Sequence, residues 1–212
     1  MGAFFIAADL GQVNDYTAFT VTERINSEYH LRHIERPELG TPYPKIIDRL
    51  KELAEVPPLR GSMSNTIVID ITGVGRPVWD LLIRAGIRAT LKGIAITGGN
   101  TVTNDGKIFN VPKRDLVSAL QVAFQNGQLK IAKGLPESDT LVKELINFKV
   151  KINVNGHDQY EAWREGIHDD IVLSAAMGVW LASRPERRIL ASNLDIINGD
   201  YGYKSNGDFY WR

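Results

Sequence analysis

Cysteine is absent from the 212-residue chain, which excludes disulfides and thiolate metal sites and accords with a reducing compartment. Long apolar runs are missing as well. None approaches the roughly 18 residues that a membrane span needs, and Met1-Gly2-Ala3 lacks the basic and apolar regions of a secretory leader, so a cytosolic chain is expected. Charge of one sign is not in excess: 25 Lys plus Arg face 25 Asp plus Glu. That balance neither indicates nor excludes a nucleic-acid partner, because a carboxylate cluster in one place cancels a basic track in another. No internal repeat and no convincing linker interrupts the chain. With 43% apolar residues over this length, a single domain with a full core is the expectation, with 3–183 as the ordered core and 184–212 as an irregular tail.

What is present is a set of acidic residues delivered by regular elements. The apolar run Phe4-Phe5-Ile6-Ala7-Ala8 ends in Asp9 and passes into Leu10-Gly11, which reads as a buried strand whose last residue emerges at the sheet's edge. A second short run, Thr66-Ile67-Val68-Ile69, ends in Asp70 and leads into Thr72-Gly73-Val74-Gly75. A third station is His168-Asp169-Asp170, at the start of a helix running through Ile171 to Met177. An aspartate after a strand is commonly a turn residue, and one before a helix is commonly a cap. Three such stations together suggest a shared site.

The remaining periodicities fill in the fold. Segments 17–23 and 29–34 alternate and are rich in β-formers, so with the first strand they form an antiparallel meander. Pro42 and Pro44 open a helix over 45–54 with Ile46, Ile47, Leu50 and Leu53 on one face, and Pro57-Pro58 stop it. Residues 76–85 read as a helix with Val78, Leu81 and Leu82 turned inward and Gly86 as its stop; 87–96 read as a strand, which makes a right-handed parallel crossover. Residues 98–109 are turn-rich and polar. A helix is expected over 115–126 with Leu116, Leu120, Ala123 and Phe124 at helical spacing, then a short strand at Leu129-Lys130-Ile131 and a helix over 137–147. Phe148, Val150, Ile152 and Val154 alternate with polar residues up to Asn155-Gly156, a strong hairpin-turn signal, so an added β-hairpin is expected with its return strand at 157–163. The whole is an α/β fold: one mixed sheet, meander plus parallel crossover strands, with helices on its faces.

Asp9, Asp70 and Asp169 or Asp170 can then meet at one end of the sheet. Clustered carboxylates repel and raise one another's pKa, and divalent cations are the usual compensation. Oxygen-only ligands point to Mg²⁺ or Mn²⁺, and two such ions about 3.5–4 Å apart suit phosphodiester hydrolysis. Of the adjacent pair one residue is expected to cap and the other to face the metals, with Asp170 the first choice as ligand. His168 is a possible contact to metal or phosphate, and Asp15 reads as a turn residue. Lys149 and Lys151 share one face of the expected hairpin, while Lys113, Arg114, Lys130 and Arg164 flank the site; all are candidates for phosphate contacts.

The same residues carry a family resemblance. Asp9-Leu10-Gly11-Gln12 with Asp15-Tyr16-Thr17-Ala18, then Asp70-Ile71-Thr72-Gly73-Val74-Gly75, then Val111-Pro112-Lys113-Arg114-Asp115-Leu116, then His168-Asp169-Asp170 resemble, in that order, the nuclease domain of the large terminase subunit of tailed bacteriophages. The resemblance runs from about Phe4 to Leu181. It implies an RNase H-like fold and an endonuclease that cuts concatemeric viral DNA during genome packaging in the host cell cytoplasm. Asp9, Asp70 and Asp170 become the metal ligands, with Asp169 beside them. Double-stranded DNA is the implied substrate, and the terminase ATPase domain, the small subunit and the portal are the implied partners. No Gly-x-x-x-x-Gly-Lys-Ser/Thr phosphate loop occurs, so no ATPase motor is expected within these residues; the chain reads as the nuclease portion of a longer protein or as a stand-alone relative.

Other readings remain open on sequence grounds. A Holliday-junction resolvase or transposase-type nuclease uses the same carboxylate chemistry on the same fold. An actin-like sugar kinase or ATPase would need far more chain. A non-catalytic scaffold docking DNA or a partner would not need the acids.

Overall fold

Every residue of strand β1 (Ala3–Asp9) is buried, because the strand is covered on both faces, and the period of two sends alternate side chains into two separate cores. Phe4, Ile6 and Ala8 join one cluster, and Ala3, Phe5 and Ala7 join the other. The computed structural model describes residues 2–11, 15–60, 65–73, 75–154 and 169–184.

Strand β1 pairs antiparallel with β2 (Ala18–Ile25), which pairs antiparallel with β3 (Glu28–Glu35). This is the expected meander, turned at Asn26, whose φ of 55° lies in the left-handed region. Helix α1 (Tyr43–Glu55) begins after Pro42 and buries Ile46, Ile47, Leu50 and Leu53, as the apolar spacing predicts. Strand β4 (Asn65–Asp70) lies parallel to β1, and after helix α2 (Gly75–Arg84) strand β5 (Thr90–Thr97) lies parallel to β4. Gly86, at φ +63°, adopts the left-handed conformation that ends α2. Along α2 the buried residues are Val78, Trp79 and Leu82, whereas Leu81 is exposed, so the inward face is turned toward the tryptophan.

The stretch expected to be turn-rich contains two strands, β6 (Thr103–Asn104) and β7 (Ile108–Pro112). Asp105 holds their connection by accepting from Lys107 N and Ile108 N, and β7 then pairs parallel with β5. Two and five residues are too few for alternation to register, and Pro112, a residue suited to the start of a helix, ends the second strand. Helix α3 (Lys113–Gln125) follows and buries Leu116, Leu120 and Ala123, while Phe124 points outward. Strand β8 (Leu129–Ile131) pairs parallel with β3 at the opposite edge. The sheet order is β6-β7-β5-β4-β1-β2-β3-β8.

One correction concerns the added hairpin. Helix α4 (Ser138–Val154) continues through the alternating residues, so 148–154 are helical rather than a strand. No Gly or Pro stops the helix between Asn147 and Val154, and each added residue contributes one more backbone hydrogen bond, which outweighs a local period of two. The expected turn and return strand lie outside the described residues.

Helix α5 (Asp170–Ala182) is apolar around its whole circumference and buried throughout. It lies on the face of the sheet that carries Phe5 and Ala7, with α3, while α1 and α2 cover the other face. Its few polar groups are satisfied: Ser174 Oγ donates to the Ala7 carbonyl at 3.0 Å and lies 2.9 Å from Thr20 Oγ1. Among the described residues no helix is long and apolar enough to cross a membrane.

Candidate active site

Because β1 and β4 run parallel with Ala8 opposite Ile69, their last residues, Asp9 and Asp70, emerge side by side at one end of the sheet. The period of two gives Asp9 the same face as Phe5 and Ala7, and Asp70 the same face as Val68, which is the face covered by α5. Helix α5 starts there with Asp169 and Asp170. Four carboxylates from three elements thus come together at one end of the sheet.

Their electrostatics follow from that convergence. Burial pushes the Asp9 carboxyl well above the usual carboxylate range, and Asp70, Asp170 and Asp169 push it further, with Lys113 opposing. Asp70 also closes a turn, since its Oδ1 accepts from Thr72 N at 2.7 Å while Thr72 Oγ1 accepts from Ile96 N at 2.8 Å. The turn contact therefore fixes the direction of the Asp70 carboxylate.

The two helix-start acids are paired with cations. Asp169 Oδ2 meets Lys113 Nζ at 3.1 Å, and Asp170 Oδ2 meets Arg36 Nη2 at 2.9 Å. Arg36 leaves β3, lies with its guanidinium 4.3 Å from the Tyr16 ring centroid, and reaches Glu144 Oε1 at 3.6 Å. Glu144 is buried, and burial raises its pKa to about 7, with Asp170 and Asp169 adding to the rise while the Val172 amide and Arg36 oppose it. Among the described residues no three acidic or histidine side chains are already drawn together around a cation position. The donor set is nevertheless all oxygen, and three neighbouring carboxylates add to the burial that raises Asp9, which is the chemistry that fits a hard divalent cation.

Lys113, read from the sequence as a flanking phosphate contact, stands inside the acidic cluster. Arg114 is turned away, donating to the Asn100 carbonyl at 3.2 Å and lying 3.5 Å from Asp115. Lys130 is 3.6 Å from Glu28 at the β3–β8 edge. Asp15 is exposed, as suits a turn. Lys149 and Lys151 belong to helix α4, and Arg164 and His168 lie outside the described residues.

Sequence reasoning missed Arg36, Tyr16 and Glu144. Tyr16 stands within the family string Asp15-Tyr16-Thr17-Ala18 without being given a role, and Glu144 carries a signal of its own: it falls three residues after Leu141, on the buried face of α4, where an acid needs a partner. Nothing local marks Arg36, whose contacts lie across the chain.

Comparison with known proteins bears on this arrangement. Among solved structures the chain is similar to the large terminase nuclease from thermophilic phage G20c with bound magnesium, at 25% identity and a TM-score of 0.55, covering 84% of this chain and 80% of that one. The human cytomegalovirus terminase nuclease domain, soaked with manganese, shares the fold at 13% identity and a TM-score of 0.51, covering 85% of this chain and 83% of that one. Comparison with curated protein sequences returned no match. The family model described as the terminase RNase H-like domain matches residues 6–177, a span that begins in β1 and ends in α5 and so takes in all four carboxylates, and the chain belongs to that family.

Proposed function

We propose that this chain is a divalent-metal-dependent endodeoxyribonuclease that cuts concatemeric viral DNA during genome packaging. The observation that carries the reading is the convergence of four acids at one end of the sheet, Asp9 and Asp70 from the adjacent parallel strands β1 and β4 and Asp169 and Asp170 from the start of α5, where burial and then these neighbours raise the Asp9 carboxyl. Such a cluster is costly for a scaffold and useful for a hydrolase. The magnesium in the phage G20c nuclease and the manganese in the cytomegalovirus domain support the choice of ion.

Asp9, Asp70 and Asp170 would hold two cations, Mg²⁺ or Mn²⁺, with Asp169 beside them. Bound there, such ions would supply an activated water and charge neutralisation for phosphodiester hydrolysis. The chain's own residues orient the reaction. Asp70 is held in direction by the Thr72 amide, and Lys113 brings positive charge into the acidic cluster beside Asp169. Lys113, Arg114, Lys149, Lys151 and Arg164 are the candidates for duplex phosphate contacts, which would make binding salt-dependent and independent of sequence. Residues 1–212 are read as one nuclease domain acting on double-stranded DNA in the host cytoplasm, together with the terminase ATPase domain, the small subunit and the portal.

The test is nicking and linearisation of supercoiled plasmid with Mg²⁺, Mn²⁺, Ca²⁺ or EDTA, comparing wild type with Asp70→Asn and Asp170→Asn. Cleavage with Mg²⁺ or Mn²⁺ that disappears in EDTA and in both variants is the expected result. Wild-type cleavage that survives both substitutions overturns the site assignment.

A further inference from the structure

Helix α5 starts with an unusual division of labour. By position Asp169 is its N-cap, since the Asp169 carbonyl accepts from Leu173 N at 2.9 Å, yet its side chain makes no capping hydrogen bond. That carboxylate faces Lys113 instead, and the next one, Asp170, faces Arg36. A helix start this deeply buried has amide donors that need acceptors, because leaving one unpaired costs on the order of 1–3 kcal/mol.

The acceptor comes from a different helix. Glu144 Oε2 on α4 takes the Val172 amide at 3.0 Å, which is the bond an N-cap side chain ordinarily makes to the third residue of its own helix. Its other oxygen, Oε1, is buried without a hydrogen-bond partner among the described residues and stands 3.6 Å from Arg36 Nη2, the nitrogen that also meets Asp170. One carboxylate therefore touches both the backbone that carries the two aspartates and the cation that orients one of them.

Resting on the carboxylate-site reading above, we propose that Glu144 is a positioning residue of the nuclease: it caps α5 from outside, which leaves Asp169 and Asp170 to the acidic site, and through Arg36 it fixes the rotation of the Asp170 carboxylate. Without it Asp169 has reason to swing back onto its own helix. Arg36 in turn loses one of the two carboxylates that hold its guanidinium in place. Residues that orient metal-binding groups in this way typically change metal affinity by about 10–100-fold when removed.

The experiment measures Mn²⁺ affinity by titration calorimetry on the full chain, well below the melting temperature of each variant, for wild type, Glu144→Ala, Glu144→Gln, Glu144→Asp and Asp170→Asn. Glutamine keeps an acceptor for the Val172 amide but not the carboxylate that faces Arg36, so it should lose clearly less affinity than alanine. Alanine should lose about 10–100-fold. Aspartate keeps the charge but falls one methylene short, so it should behave like alanine, and it serves if the alanine variant fails to fold. A purely structural role predicts lowered melting temperatures with unchanged affinity. Wild-type affinity in folded Glu144→Ala or Glu144→Asp, or a loss in Glu144→Gln as large as in alanine, overturns the inference. Asp170→Asn separates the two levels: if it also leaves Mn²⁺ binding unchanged, the carboxylate site itself is wrong, and if it alone weakens binding, only the role of Glu144 fails.

Discussion

Arg36 and Asp170, 134 positions apart in the chain, meet at 2.9 Å between Arg36 Nη2 and Asp170 Oδ2 and join the end of β3 to the first turn of α5. Both side chains are largely buried, at 13% and 10% exposure, so the pair is screened little by solvent. The contact does mechanical as well as electrostatic work, because α5 brings two of the four carboxylates to the site.

Removing one partner of such a pair leaves the other charge buried without its nearest counter-ion, which typically costs about 3–5 kcal/mol. Arg36→Met and Asp170→Asn should each destabilise the protein in urea unfolding. The double variant should lose clearly less than the sum of the two, since neither charge is then stranded. Strict additivity would mean that the ion pair contributes nothing of its own.

Gly178 sets how closely α5 approaches the sheet. A Cβ there would lie 3.1 Å from Thr22 Oγ1 and 3.6 Å from Ala7 Cβ, so a methyl already presses on β2 and a larger side chain cannot enter without moving the helix. Gly178→Leu should cost about 1–3 kcal/mol or more through overpacking, and because the helix carries Asp169 and Asp170 it should reduce plasmid cleavage as well. Gly178→Leu with wild-type stability and cleavage would show that the approach is not tight.

The residues that were legible from the sequence are those whose meaning is local. Asp9 and Asp70 each end an apolar run, and that patterning raised the expectation of a shared site, whereas the parallel pairing of β1 with β4 that sets the two side by side was not read from the sequence. The start of α5 was legible for the same reason, because Asp169-Asp170 precede an uninterrupted apolar helix. Arg36 was not, since its partners Asp170, Glu144 and Tyr16 come from three other parts of the chain and nothing near it marks the contact. Residues 148–154 misled in the opposite direction. Their alternation is a genuine local pattern, but α4 is already under way when it begins, and an unbroken helix overrides a weak strand preference.

Glu35 gives a pH dependence on the acid side. Its carboxylate is 2.9 Å from His33 Nε2 and receives Arg49 Nε and Nη2, each at 2.8 Å, and these hydrogen bonds, His33 first, hold its pKa at about 2 against an ordinary 4.5. A depressed folded pKa means that the unfolded chain takes up the proton first as pH falls. The stabilisation is therefore complete above 4.5 and lost as pH drops toward about 2. The melting temperature of Glu35→Gln should fall below that of wild type at neutral pH, and the gap should close as the solution is acidified through that window. A gap that is constant with pH would exclude the linkage.

Glu144 gives the opposite slope. Burial raises its carboxyl to about 7, with Asp170 and Asp169 adding to the rise, so the folded protein keeps a proton that the unfolded chain gives up above its ordinary 4.5. With the folded value above the unfolded one, this contribution is fully present below 4.5 and is lost as pH rises toward about 7. Glu144→Gln cannot ionise and retains an acceptor for the Val172 amide, so its melting temperature should match wild type at acid pH and exceed it increasingly up to about 7, beyond which the difference levels off. The thermal unfolding series should be run in chelator, because a bound cation would itself shift the acidic neighbours that help to raise Glu144. If Glu144→Gln is less stable than wild type across the whole range, the carboxylate is ionised in the folded state and Arg36, at 3.6 Å, outweighs burial in setting its charge.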